Sequence, residues 1–321
     1  MNCAHMFFPG GKMDFRKIIA FGKSSFVISL PKSWLETHKL KRGDVVFLEQ
    51  ESDKLVLMPK EKEEQKEEKK AFINTDGKDA KMVRREIISA FLNYNDYLVI
   101  EGKNMHRFSD DIKRIIHNLM AFEIIEQSGT RIVAKDFLKV GDIIIKDYFR
   151  RADIIVRSMI KDLIDEQFTS YGNIAERKDS VNRVYLLILK LLKAVLSNIS
   201  LMKKIDLKGE EIITYYRACI ALQKTASFIQ FIASNIADTS LKYRQNLREM
   251  LKELNAYYIN VMKAFYAQDI EKAYSFSHIR DEAVEKISSS LSRGAKQEIL
   301  LVEQVINAYF ELHEILHRIY S

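Results

Sequence analysis

The sequence predicts a multidomain chain with a small β-rich head, a small α/β middle unit and a long all-α C-terminal body. Three observations lead there. All three prolines, Pro9, Pro31 and Pro59, fall in the first sixty residues, and after Gly141 only Gly172, Gly209 and Gly294 remain. Chain without proline and nearly without glycine is free to run as long helices. Apolar residues also change their period, alternating near Phe26 and recurring at helical spacing from about residue 143.

In the head, spanning 14–59, Phe26, Ile28 and Leu30 alternate with Ser25, Val27 and Ser29, which predicts a strand ended by Pro31. Lys32 to His38 then predicts a short helix, and Lys41-Arg42-Gly43-Asp44 a turn with glycine at positive φ. Val45–Leu48 and Leu55–Met58 predict two strands around Glu51-Ser52-Asp53. So small a segment closes no core alone, so interlocking with a second copy is expected.

Residues 60–70, KEKEEQKEEKK, contain no apolar residue and read as a solvated charged linker. Residues 71–140 predict a small α/β unit. Its helices are Lys78–Asn93 and Asp110–Met120, its first strand Tyr97–Ile100, and a hairpin of Glu123–Glu126 and Arg131–Ala134 turns at Ser128-Gly129. No phosphate loop or catalytic pattern occurs in it.

Residues 142–321 predict six helices, at about 143–168, 176–203, 209–236, 240–267, 269–290 and 296–320. Breaks at Ser170-Tyr171-Gly172, Lys208-Gly209, Ala237-Asp238-Thr239 and Arg293-Gly294 separate them. Short loops make long helices antiparallel neighbours, so two three-helix bundles are the expected packing.

Composition narrows the class. Of 321 residues, 47% are hydrophobic and 30% charged, as in an ordinary globular protein. The apolar run Val184–Leu192 is broken by Lys190, and no stretch has the length of a membrane span. Met1–Asp14 lacks a signal-peptide core, with Met6 or Met13 as alternative starts, and Cys3 and Cys219 form no disulfide framework. A cytoplasmic location without membrane insertion is expected. The net charge is +7, and Lys12 to Leu48 holds eight basic residues against three acids, an excess of five. The positive field is concentrated in the head.

The head resembles the AbrB/SpoVT (MazE-like) domains through Arg16-Lys17, Phe26-Val27-Ile28-Ser29-Leu30-Pro31, Leu40-Lys41-Arg42-Gly43-Asp44-Val45-Val46 and Lys54-Leu55-Val56-Leu57-Met58-Pro59. The resemblance implies a swapped-hairpin β-barrel made by two chains, gripping DNA with one basic face. Arg16, Lys17, Lys23 and Lys32 are the expected contacts, followed by Lys39, Lys41 and Arg42. This chain has Leu35 and Glu36 where bacterial transition-state regulators of that family carry adjacent arginines.

The body resembles the PhoU family of phosphate-uptake regulators through its six-helix layout, the stretch from Asp179 to Ile188, and Asp269-Ile270-Glu271-Lys272-Ala273. Such proteins often hold metal clusters on acidic pairs spaced i, i+4. The matching positions here are Gln223 and Ser227, and Phe310 and Glu314, so the resemblance implies no cofactor of that kind.

His313-Glu314-Ile315-Leu316-His317 fits the HExxH zinc-protease pattern. It stands four residues before the last residue of the sequence, in the last helix of a bundle, with no third ligand after it. An ordinary helix surface is the expected reading, and no enzyme activity is expected. The expected function is a homodimeric, DNA-binding transcriptional regulator of phosphate uptake and phosphate homeostasis, its body sensing a transporter or signalling protein. The competing reading is a non-DNA adaptor that binds a transporter ATPase or a sensor kinase and uses the head only to dimerise.

Overall fold

The computed structural model describes residues 15–51, 54–59, 68–103, 105–138, 144–165, 171–197, 207, 209–290 and 296–320. The expectations placed on Met1–Asp14, on the turn residues Ser52 and Asp53, on 60–67, on Ser170, Lys208 and Arg293-Gly294, and on the helix ends at 166–168 and 198–203 lie outside these. Tyr171 and Gly172, expected in a break, instead begin a helix, because one glycine in the first turn is tolerated. The chain divides into two compact units, 1–67 and 68–321.

The first unit holds two separate antiparallel hairpins. Strands β1 (Ile19–Phe21) and β2 (Ser25–Val27) pair Ile19 with Val27 and Phe21 with Ser25. Helix α1 (Lys32–Thr37) begins directly after Pro31, whose extended backbone is the helix N-cap. Strands β3 (Val46–Glu51) and β4 (Lys54–Pro59) pair Val46 with Pro59 and Leu48 with Leu57. The β2 strand is shorter than the alternation through Leu30 predicts.

No described residue of this unit is buried. Phe15, Phe21, Phe26, Phe47, Leu48 and Leu55 are all more than half exposed. A two-stranded ribbon has only one neighbour per strand, so much of its apolar surface stays in water, although Val46, Val56, Leu57 and Met58 are half-buried.

The second unit begins with a four-stranded sheet. Its elements are β5 (Lys70–Asn74), α2 (Ala80–Leu92), β6 (Tyr97–Glu101), α3 (Ser109–His117), β7 (Phe122–Gln127) and β8 (Arg131–Asp136). The order is β5-β6-β8-β7, with β5 and β6 parallel and the other pairs antiparallel. Strand β5 starts inside the charged segment and was not foreseen, because five residues with a single exposed aromatic give too little pattern. The Asp79 carboxylate caps α2 by accepting from Met82 N at 2.7 Å. Gly102 is required where the chain leaves β6, since a Cβ there would stand 1.9 Å from Thr75 Oγ1.

One face of the sheet presents Ile73, Leu98, Ile100, Ile132 and Ala134 to Val83, Ile87 and Phe91 of α2 and to Ile112 and Ile116 of α3. These side chains form one core, as the period of two in each strand and of 3.6 in each helix requires.

Six helices follow among the described residues: α4 (Ile145–Ile164), α5 (Tyr171–Ser197), α6 (Gly209–Asn235), α7 (Leu241–Ala267), α8 (Ile270–Ser290) and α9 (Lys296–Tyr320). Helices α4, α5 and α6 pack on one another, as do α7, α8 and α9; α6 also packs on α9, and α4 on α7. A single apolar core therefore runs through all six. Helix α6 is its centre, burying Ile212, Ala218, Ala221, Leu222, Ala226, Ile229 and Ala233. The alanines let neighbouring helices approach, and the wide apolar girdle suits a helix contacted on several sides.

The one carboxylate buried in this core is Asp153 of α4, among the described residues. Arg157 Nη2 lies 3.1 Å from each of its oxygens, and the Tyr258 and Tyr266 hydroxyls donate to it at 2.9 and 3.0 Å. A buried charge needs this many donors to replace its water. The network ties α4 to α7. No described helix is long and apolar enough to cross a membrane.

Candidate nucleic-acid interface

The seven basic residues singled out from the sequence are all exposed. Arg16 and Lys17 precede β1, and Lys23 lies in the three-residue turn between β1 and β2. Lys32 opens α1, while Lys39, Lys41 and Arg42 lie in the connection from α1 to β3. The structure thus spreads them over four places in the head.

Local hydrogen bonds fix the last group. Helix α1 ends with Lys39 in the left-handed conformation, at φ 50°. Lys39 N donates to Glu36 O at 3.1 Å, and Leu40 N donates to Leu35 O at 2.8 Å. This double reverse bond closes the helix and places Leu40 beside Leu35. Two residues on, Asp44 N donates to Lys41 O at 3.0 Å, and the Asp44 carboxylate accepts from Lys41 N at 2.8 Å. Gly43 completes the turn at φ 94°, where a side chain would be strained. The Gly-Asp pair therefore shapes the corner that displays the side chains of Lys41 and Arg42.

Glu36 stands 3.6 Å from Lys32 across one helical turn, with side-chain exposures of 66% and 90%. So exposed a pair is weakly held, and a phosphate can displace the carboxylate at little cost. Leu35 is half-buried beneath the helix. Neither position supplies the cation that arginines would.

The positions tied to metal are placed differently. Gln223 Nε2 donates to Asn182 Oδ1 at 3.0 Å, and Ser227 Oγ donates to Gln223 O at 3.0 Å. Neutral groups that satisfy one another fill this spot, and it does not fit a cationic cluster. Phe310 lies under the Arg280 guanidinium, 5.6 Å from ring centroid to Cζ. His313 is buried, with Nδ1 3.4 Å from the Tyr257 hydroxyl, whereas Glu314 and His317 are exposed. His313 thus faces the core and His317 the solvent, and no group of three or more metal-binding side chains is gathered among the described residues.

Sequence reasoning missed one feature of the second unit. Lys190 of α5, used only as the charge that interrupts an apolar run, is fully buried and bonded to Asp136 at the end of β8. Its signal was present, since a lone lysine within Val184–Leu192 falls at a helical position flanked by buried residues.

Residues 19–65 match the family model described as antidote-toxin recognition MazE, bacterial antitoxin. No curated protein and no solved structure matches the chain. The architecture is accordingly a small β-rich head carrying a MazE-type domain, followed by a mostly helical body.

Proposed function

We propose that this protein is a homodimeric DNA-binding regulator, whose head both pairs the chains and holds DNA. The observation that carries the reading is a head in which no described residue is buried, although its strands are rich in Phe, Leu, Ile and Val. A second head interlocked with the first would cover those strands, and the MazE-type match over 19–65 supports that use. The exposed Arg16, Lys17, Lys23 and Lys32, with Lys39, Lys41 and Arg42, then supply the phosphate contacts.

The helical body is the module that receives a signal or partner. Regulation of phosphate uptake is the finer form of this reading, and it rests on the sequence resemblance of the helical body to the PhoU family. The test is binding of the purified protein to promoter DNA of phosphate-transport genes at several salt concentrations. Salt-dependent binding that is lost on Arg16→Glu, Lys17→Glu and Lys23→Glu, with the dimer intact, is the expected result. Unchanged binding by that variant overturns the assignment of the interface.

A second reading, an adaptor whose head only dimerises, has its own observation. Ile270, Tyr274 and Ile279 of α8 and Phe310 of α9 expose apolar surface suited to a protein partner. Charge reversal in the head leaves that function untouched.

A further inference from the structure

Helices α2 and α3 cover one face of the four-stranded sheet; among the described residues its other face carries an ordered pattern. Three rows of side chains cross it. The first is Lys70, Tyr97, Lys135 and Glu123, following the pairings of β5 with β6, β6 with β8 and β8 with β7. The second is Phe72, Val99, Val133 and the bulged pair Ile125 and Glu126. The third contains Asn74, Glu101 and Arg131.

The middle row is apolar and its ends are bare. Phe72 is 73% exposed and Ile125 51%, while Val99 and Val133 are buried between them. Charged side chains flank the row and already cross-pair. Lys135 Nζ lies 2.7 Å from the Tyr97 hydroxyl, and Arg131 stands 3.3 Å from Glu101 and 3.5 Å from Glu126. Lys70, Lys135 and Arg131 stand against Glu101, Glu123, Glu126 and Glu68, the last 3.3 Å from Lys135 Nζ. An aromatic sheet face that bound single-stranded nucleic acid would need a positive excess, and this face has none.

We infer that this face docks on the same face of a second copy of the chain. The argument is its self-complementarity under one particular two-fold axis, parallel to the strands and midway between β6 and β8. That rotation sets β5 over the partner's β7 and β6 over the partner's β8. Lys70 then meets Glu123 of the partner subunit, and Tyr97 meets the partner subunit's Lys135. Glu101 meets the partner's Arg131, and Phe72 meets the bulged pair of the partner's Ile125 and the partner's Glu126, while Val99 and Val133 lie buried beneath the flanking side chains. The charged positions match in sign, and Phe72 finds its apolar contact in the partner's Ile125, which is exposed. A two-fold axis running across the strands instead would set Lys135 against the partner's Arg131, and like charges are costly there. The favoured axis also keeps the two sheets aligned, the usual geometry of stacked sheets.

Size decides how the contact works. Four strands by five residues cover roughly 300 Å² of facing area, well under the ~800 Å² per partner of a stable stand-alone interface. The docking therefore rests on the head pairing proposed above, which makes the second contact intramolecular within the dimer and raises its effective concentration. A signal that separates the sheets would then act on the paired heads.

The test uses the full chain with Cys3→Ser, leaving only the buried Cys219. One protein carries Lys70→Cys and a second Glu123→Cys, and the two are co-expressed and treated with a short bismaleimide. Edge strands β5 and β7 lie about 14 Å apart within one sheet, three strand spacings, whereas residues on facing sheets approach directly. The expected result is an interchain 70–123 adduct, absent from either protein alone. Its yield should fall at least tenfold with Phe72→Glu and persist with Phe72→Leu. A dimer by sedimentation without the adduct overturns sheet docking and leaves head pairing standing. A monomer by sedimentation overturns head pairing, and docking with it. Phe26→Asp should part the heads and abolish the adduct with the dimer; an adduct that persists in that variant overturns the dependence of the docking on head pairing.

Discussion

Lys190 of α5 buries its ammonium against the carboxylate of Asp136, and with Leu186 of the same helix it joins the helical body to the core of the sheet. The lysine is 0% exposed and Asp136 11%. Its Nζ lies 4.3 Å from the ring centroid of Phe91, 4.9 Å from that of Phe122 and 5.1 Å from that of Tyr94. Asp136 also accepts from Leu138 N at 2.9 Å. Aromatic faces and one carboxylate replace the hydration shell of the cation.

Removing one partner leaves the other buried and unpaired. Lys190→Ala is therefore expected to cost about 3–5 kcal/mol, whereas Lys190→Met with Asp136→Asn should recover most of it. Urea denaturation of the four proteins of this cycle measures the coupling. Additive costs would show that the pair contributes little beyond packing.

Tyrosines that are wholly or partly buried set the alkaline limit. Burial pushes up the phenols of Tyr94, Tyr185, Tyr243, Tyr258, Tyr266 and Tyr309, and that of Tyr215 up to about 12. A raised acid stays protonated in the fold while the unfolded chain ionises near pH 10. Its stability contribution is complete below pH 10 and is lost as pH rises through the folded value. A fully buried tyrosine such as Tyr258 or Tyr309 steepens the loss by up to about 1.4 kcal/mol per pH unit, and the partly exposed ones by less. Lys190 moves the opposite way, because burial lowers its pKa and its neutral form fits the core better as pH rises. Tyr215→Phe should flatten the fall in urea midpoint between pH 10 and about 12, and an unchanged slope would contradict this.

His313 governs a step on the acid side. Burial first, and then the Arg280 guanidinium, holds its imidazolium below the usual range. Asp281 and Glu314 pull upward and His317 downward, while the neighbour from α7 is the Tyr257 hydroxyl. The folded chain thus resists a proton that the unfolded chain accepts near pH 6.5. Stability should be full above about pH 6.5 and fall as pH drops from there toward the lowered folded value. His313→Gln should lessen the change in urea midpoint between about pH 7.5 and about pH 5.5. A variant with the same pH dependence would assign that step to another group.

The long elements were legible because their signals are long. Helices α6, α7 and α9 lie within two residues of the predicted bounds, since apolar repeats of 25 or 27 residues average over local noise. Short strands such as β5 offer no such repeat, and Phe72 reads as a stray apolar residue beside a charge run. In the head, the Pro31 stop and the Gly43-Asp44 turn were readable because each needs a specific residue type. Tertiary partners were not. Nothing local to Lys190 names Asp136, 54 residues away. Nothing near His313 names Tyr257, 56 residues away, so whether the HExxH pattern faced solvent or core depended on the fold.

The end of α1 offers a way to separate folding from DNA contact at one residue. Lys39 occupies a left-handed position at φ 50°, where a side chain costs about 1 kcal/mol and glycine does not. The backbone bonds from Lys39 N and Leu40 N hold it there and survive substitution. Lys39→Gly should therefore stabilise the head by about 1 kcal/mol. Trp34 of α1 is the only tryptophan in the chain, so its fluorescence reports on this unit during urea unfolding. The same variant tests Lys39 as a phosphate contact. If it is one, the slope of log affinity against log salt should fall by about 0.9 even as the head becomes more stable. A rise in the Trp34 midpoint with an unchanged slope would leave Lys39 as a helix terminator alone. A lower midpoint would show that the helix does not end in the left-handed turn.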